Sequence, residues 1–222
     1  MDFIFMLTRH DQTVEDCLEV MEAIAPVGLT HVGFKDVGVD LATLRALNEH
    51  IKKSGATSYM EVVSTGREAC LRSARAAVEI GVDRLLGGID VREVLKILDG
   101  SGIGYYPFPG LPSGHPTRLG GSPQQIAEHC RKFLDAGCAG VDLLAYRATD
   151  AEPLDLVRAA RQALPGAGLI VAGSVDSPAR VRALAAAGAD AFTIGSAVFD
   201  GSFSSKKGTI KSQLCDVLEA CS

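Results

Sequence analysis

The feature that most limits what this chain can become is a unit repeated along its length: a helical segment ends in glycine, and an apolar run follows within a few residues. Instances are "APVGLTHVGF", "KSGATSYMEVV", "EIGVDRLLGG", "GSGIGYYPF", "DAGCAGVDLLAY", "GAGLIVAGS" and "AAGADAFTIGS". Glycine suits the position after a helix because it enters the left-handed region without steric penalty. Each apolar run is therefore read as the strand that follows a helix, and "FIFML" at the start brings the total to eight. The segments between carry apolar residues at helical spacing, from "VEDCLEVMEAI" through "REACLRSARAAVEI" and "PQQIAEHCRKFLDA" to "TIKSQLCDVLEA". Asp90, Ser122 and Ser177 stand before three of them as candidate N-caps, and Pro123, Pro153 and Pro178 fall in first turns.

Strands joined by single helices run parallel, and parallel strands need cover on both faces. A closed barrel and an open doubly wound sheet both meet that need. Three observations favour the barrel. The repeat continues without a linker, the 222 residues lie toward the low end for a (β/α)8 barrel, and "FIFMLTRHDQT" carries no G-x-G-x-x-G after the first strand. The expected fold class is α/β, a (β/α)8 TIM barrel, as one domain over residues 1–222.

Composition narrows the function classes. With 47% apolar residues, 22% charged residues and a net charge of -5, neither disorder nor a polyanionic partner is indicated, so nucleic acid is not expected. Apolar runs break well short of the roughly 20 residues of a membrane span, so no membrane partner is expected. The opening "MDFIFMLTRHD" has an acid where a signal peptide has a basic region, and a cytoplasmic setting is expected. Cys17, Cys70, Cys130, Cys138, Cys215 and Cys221 are scattered, without C-x-x-C spacing or a nearby His. They are read as thiols of a reducing compartment. No cofactor is expected, and no metal: Glu61, Asp142 and His10 have the chemistry for a divalent ion, but no spacing argues for one. The oligomeric state is left open, a homo-oligomer included.

In such a barrel every strand's C-terminal end faces one mouth. Gly173-Ser174 after strand 7 and Gly195-Ser196 after strand 8 are then neighbours. Glycines let backbone N–H groups approach an anion, hydroxyls add donors, and a helix N-terminus just beyond adds partial positive charge. One such pair is explained by a tight turn; two on adjacent strands favour a phosphate monoester, and so a small phosphorylated substrate. The segment "VAGSVDSPARVRALAAAGADAFTIGSAVF" also resembles the last two units of the ribulose-phosphate-binding barrels, which include sugar-phosphate isomerases of histidine and tryptophan synthesis and ribulose-phosphate epimerase. Those proteins carry a Gly-rich turn after strand 7, an "AGAD" lead into strand 8 and a "GSA" turn after it. The resemblance implies the fold and a phosphate grip at Gly173, Ser174, Gly195 and Ser196. It transfers no reaction, because the other six strand ends are where such enzymes differ.

Alternation along the strands points Lys35, Glu61 and Asp142 into the barrel, with Val32, Phe34, Met60 and Val62 facing the helices. Strand 1 ends in Arg9, His10 and Asp11, and strand 6 in Tyr146 and Arg147; Arg9 and Arg147 are candidate substrate contacts. The long loop "YYPFPGLPSGHPTRLGGSP" reads as a lid that brings His115 and Arg118 toward substrate, or else as a surface ornament. His50 and His129 are assigned to solvated helix faces, Arg84 to a pair with a barrel-floor acid, and Gly87-Gly88 to close approach of substrate or backbone.

Three readings of the inner trio remain open. Lys35 and Glu61 form a structural ion pair; or Lys35 has a lowered pKa and forms a Schiff base while Glu61 or Asp142 moves protons; or the three are an acid-base set. "HVGFKDVGVD" is similar to the strand-2 segment of the furan-phosphate synthases, aldolase-like barrels whose strand-2 lysine, followed by Asn, forms the imine. Lys35 is the matching position, and Asp36 departs from the Asn. The expected function is a barrel enzyme acting on a small phosphorylated sugar or keto compound as an aldolase-type lyase with Lys35 as Schiff-base lysine. The alternatives are a sugar-phosphate isomerase or epimerase and a non-catalytic phosphometabolite-binding barrel.

Overall fold

The structure, a computed structural model, describes residues 1–64, 66–206 and 208–221. Eight strands form the main sheet: β1 Asp2–Met6, β2 His31–Lys35, β3 Thr57–Val62, β4 Arg84–Gly87, β5 Gly104–Tyr106, β6 Gly140–Leu143, β7 Gly168–Val171 and β8 Ala191–Ile194. All their pairings are parallel, in the spatial order β6-β7-β8-β1-β2-β3-β4-β5. The two end strands then meet: the Ala139 amide donates to the Tyr105 carbonyl and the Asp142 amide to the Pro107 carbonyl, each at 3.0 Å. These bonds close the sheet into the expected (β/α)8 barrel.

Around it lie α1 Cys17–Ile24, α2 Leu41–Lys53, α3 Arg67–Ile80, α4 Val91–Leu98, α5 Pro123–Asp135, α6 Pro153–Ala163, α7 Pro178–Ala187, α8 Ser196–Phe199 and α9 Ile210–Cys221. The four-residue α8 adds one helix to the expected eight. Two hairpins also decorate the mouth, Thr8–Arg9 with Gln12–Thr13 after β1, and Leu111–Ser113 with Arg118–Gly120 after β5. The second hairpin is the form taken by the Pro- and Gly-dense loop. No helix among the described residues is long and apolar enough to cross a membrane.

Alternation divides the core as it must when side chains point to opposite faces in turn. Ile4, Met6, Tyr59, Leu86, Ile170 and Ala191 fill the barrel interior, while Val32, Phe34, Met60, Val62, Val141 and Leu143 pack beneath the helices. Gly33 faces inward, where a Cβ would run into the Met6 sulfur. That parity sends Lys35, Glu61 and Asp142 inward, and pairing register sets Lys35 level with Glu61.

Local signals were read correctly at two of three caps. Ser122 Oγ accepts from the Gln125 amide and Gln125 Oε1 accepts from the Ser122 amide, a reciprocal capping box, and Ser177 Oγ accepts from the Arg180 amide. Asp90 caps nothing and instead meets Arg67 at 3.1 Å. At Gly87-Gly88 backbone does approach closely, a Cβ on Gly87 lying 3.1 Å from the Val62 carbonyl, and the Phe108 ring comes closer still, at 2.7 Å. Two other expectations are corrected. Arg84 donates to the Asp83 carbonyl at 3.2 Å and makes no ion pair among the described residues. His129 is half-buried, and its Nδ1 accepts from the Gly110 amide at 3.0 Å, tying α5 to the base of the second hairpin.

Candidate active site

At the end of β2 the Lys35 ammonium sits 2.6 Å from Asp11 Oδ1 and 3.3 Å from Glu61 Oε1. Glu61 comes from the adjacent strand, but Asp11 arrives from the first hairpin. Its tip, His10 and Asp11, is left-handed at both residues, with φ of 51° and 59°. That conformation is unfavourable for residues with a Cβ, so the rest of the hairpin must hold it. Thr13 does so: its hydroxyl donates to the Lys35 carbonyl and accepts from the Lys35 amide, both at 2.8 Å. Gly38, with φ of 107°, presses against the Thr13 backbone where no Cβ would fit.

The same Asp11 oxygen lies 3.3 Å from Arg147 Nη2, and Arg147 Nη1 donates to the Thr117 carbonyl of the second hairpin at 3.4 Å. Arg147 belongs to a 3-10 turn, Ala145–Arg147, directly after β6. Its side chain runs across Gly173, where a Cβ would lie 2.5 Å from Nε. One carboxylate thus joins the ends of β2 and β6.

These contacts set the charge states. Burial draws the Lys35 ammonium toward neutrality, but the Glu61 and Asp11 carboxylates more than offset it, and its pKa is raised. The lowered pKa expected for an imine-forming lysine is therefore corrected, because two close anions outweigh desolvation. Asp11 is the mirror case: burial favours its neutral form, yet Lys35 and Arg147 hold its carboxyl below the usual range. Asp142 is fully buried, and neither of its carboxyl oxygens has a hydrogen-bond partner. Burial, with the neighbouring Glu61 charge, pushes its pKa well up, and Lys35 and Arg147 reverse this only in part.

The Gly-Ser pairs adjoin this cluster at the ends of β7 and β8, Gly173 lying directly against Arg147. Gly173 and Ser174 are both left-handed, with φ of 76° and 57°. Gly195 packs so closely on Thr8 that a Cβ would sit 2.5 Å from the hydroxyl and 2.7 Å from the carbonyl, and Ser196 opens α8. Both pairs, together with Lys35, Glu61, Asp11 and Arg147, line one cavity of about 280 Å³. Asp176 and Asp200 face the same space, but each has its own cation: Arg180 at 2.8 Å and Arg9 at 2.6 Å.

Three sequence candidates stand outside the cavity lining, the first being Asp142, buried behind its wall. Arg9 is half exposed and occupied by Asp200, outside the cavity lining. His115, at the tip of the second hairpin, faces a separate cleft of about 480 Å³ with Asp36 and Arg72. Asp36 is turned away from the mouth, accepting from the Val63 amide at 3.1 Å and from the Ser73 hydroxyl. Asp11 is the group that sequence reasoning passed over: only its nearness to the first strand end pointed to it, and its aim depends on a left-handed turn that "RHDQ" does not announce.

No family model matches the chain, and no curated protein matches it by sequence. Solved structures do match in fold. Orotidine 5'-phosphate decarboxylase from Pyrococcus horikoshii superposes with a TM-score of 0.70 at 10% identity, over 99% of this chain and 98% of that one. A structure described as native KDPGal gives a TM-score of 0.70 at 15% identity, over 99% and 94%. Thiamine phosphate pyrophosphorylase from Pyrococcus furiosus gives 0.64 at 13%, over 99% and 96%. The fold implied by the resemblance to the ribulose-phosphate-binding barrels is the fold observed.

Proposed function

We propose that the protein is a barrel enzyme acting on a small phosphorylated sugar or keto compound by proton transfer. In this reading the phosphate rests against Gly173, Ser174, Gly195 and Ser196, and the reacting carbons lie over Lys35 and Glu61. The observation that carries it is the single cavity lined by both Gly-Ser pairs and by the Lys35 cluster. Two of the similar structures, by their names, act on phosphorylated compounds. A lysine held as the ammonium by two carboxylates suits proton donation to a developing oxyanion or carbanion, and Glu61 supplies the complementary base. Asp142 is buried behind them, off the cavity wall, and takes no step in this reading.

A lyase that uses Lys35 as an imine nucleophile is the second reading, favoured by one observation: Asp11 lies at 2.6 Å, close enough to take the proton that Lys35 must lose. A thermal-shift screen of phosphorylated short-chain sugars and keto acids identifies the ligand, whose binding raises the midpoint by mass action. The proton-transfer reading predicts solvent deuterium in the recovered compound and no borohydride-stable adduct. A reduced adduct mapped to Lys35 moves the assignment to the imine lyase. If no phosphorylated compound shifts the midpoint, or if Ser174→Ala with Ser196→Ala leaves the shift intact, the reading fails.

A further inference from the structure

The cavity over Lys35 opens outward into a second chamber of about 590 Å³ beneath the two hairpins, bounded by His10, Thr117, Arg118, Tyr146 and Thr149. The two chambers share four residues: Asp11, Arg147, Ser174 and Ser196. The serine pair therefore marks a junction, and a phosphoryl group held there has an inner side toward Lys35 and an outer side toward open space.

Charge is distributed unequally across that junction. Lys35, on the inner side, and Arg147, at the junction, are bound to Asp11, and Asp176 and Asp200 have Arg180 and Arg9. Arg118, on the outer wall, pairs with Ser113 through its backbone, and its guanidinium makes no ion pair or hydrogen bond among the described residues. An uncommitted guanidinium presents planar donors suited to a phosphoryl group, whereas a wall meant only for water gains nothing from it.

We propose that the ligand is a diphosphate ester rather than a monoester. Its ester-linked phosphoryl group lies at Ser174 and Ser196, and its terminal phosphoryl group lies in the outer chamber against Arg118. The proposal rests on the phosphate seat put forward above. A second phosphate on another carbon of the same skeleton would fall on the Lys35 side, away from Arg118; only a group attached through the first phosphorus reaches outward.

Calorimetry with inorganic phosphate and pyrophosphate tests this on wild type, Arg118→Ala and the Ser174→Ala, Ser196→Ala double variant. Wild type is expected to bind pyrophosphate about tenfold or more tighter than phosphate, the size of one charge-assisted contact. Arg118→Ala removes that advantage and leaves phosphate affinity unchanged, and the serine variant weakens both ligands. Equal affinities in wild type, or an advantage that survives Arg118→Ala, overturn the diphosphate assignment and leave the seat standing. Failure of wild type to bind either anion, or binding indifferent to the serines, overturns the seat and this proposal together.

Discussion

Two carboxylates near one lysine behave oppositely because one has partners and the other has none. Asp11 is held ionised by Lys35 and Arg147, so its contribution to stability is present above the unfolded carboxyl range and is lost as pH falls through its lowered folded value. Asp11→Asn, which keeps the shape and tolerates the left-handed turn, is expected to cost about 1–3 kcal/mol near neutrality. The loss should shrink as acid protonates the wild-type group. Asp142 carries the reverse sign: its raised folded pKa means that stability falls as pH climbs from the ordinary carboxyl range toward the folded value. Relative to wild type, Asp142→Asn should therefore gain stability as pH rises from the acid range toward neutrality, read from urea midpoints across the pH range. The inward aim of both Lys35 and Asp142 was legible from alternation alone. The charge states were not, because they depend on depth of burial and on the distances to Glu61, Asp11 and Arg147, none of which alternation supplies.

At the scale of elements, legibility followed length. Helices of two turns or more, and the strands between them, repeat their apolar spacing often enough to be recognised, and Ser122 and Ser177 mark two of their starts. The four residues of α8 and the hairpin at Thr8–Thr13 are too short to show a period. Those short pieces shape the mouth, which is why the site was less legible than the fold. Ser122→Ala should cost about 1 kcal/mol through loss of the capping box. Gly173→Ala is expected to do more, since the added methyl meets Arg147 and the backbone there has a φ of 76°. Thermal melts should show a loss of stability, and any ligand that depends on Arg147 should bind less well.

For the molecule as a whole, the repeated unit was enough to predict parallel strands under helices, and closure was favoured by the unbroken repeat, the length and the missing glycine fingerprint. The structure supplies the physical closure at the β5–β6 edge through Ala139 and Asp142. Gly140 lies between them, and a Cβ there would strike the Gly168 carbonyl and come within 2.8 Å of Tyr106. Gly140→Ala is expected to lower stability by about 3 kcal/mol. Because one layer of helices wraps one sheet, circular dichroism should show a single urea transition, shifted but not split, in this variant. Two separate transitions in wild type would contradict the one-domain organisation.

The Thr13 hydroxyl, bonded at both ends to the backbone of Lys35, has a consequence for selection among ligands. Asp11 and the lysine it faces are hung from the same pair of bonds, so they drift together rather than apart. In the proton-transfer reading proposed above, little reorganisation of the pair is then left to perform when Lys35 gives a proton to a ligand. On that reading the spacing of donor and acceptor is a fixed ruler, against which a molecule entering the mouth would be matched atom by atom.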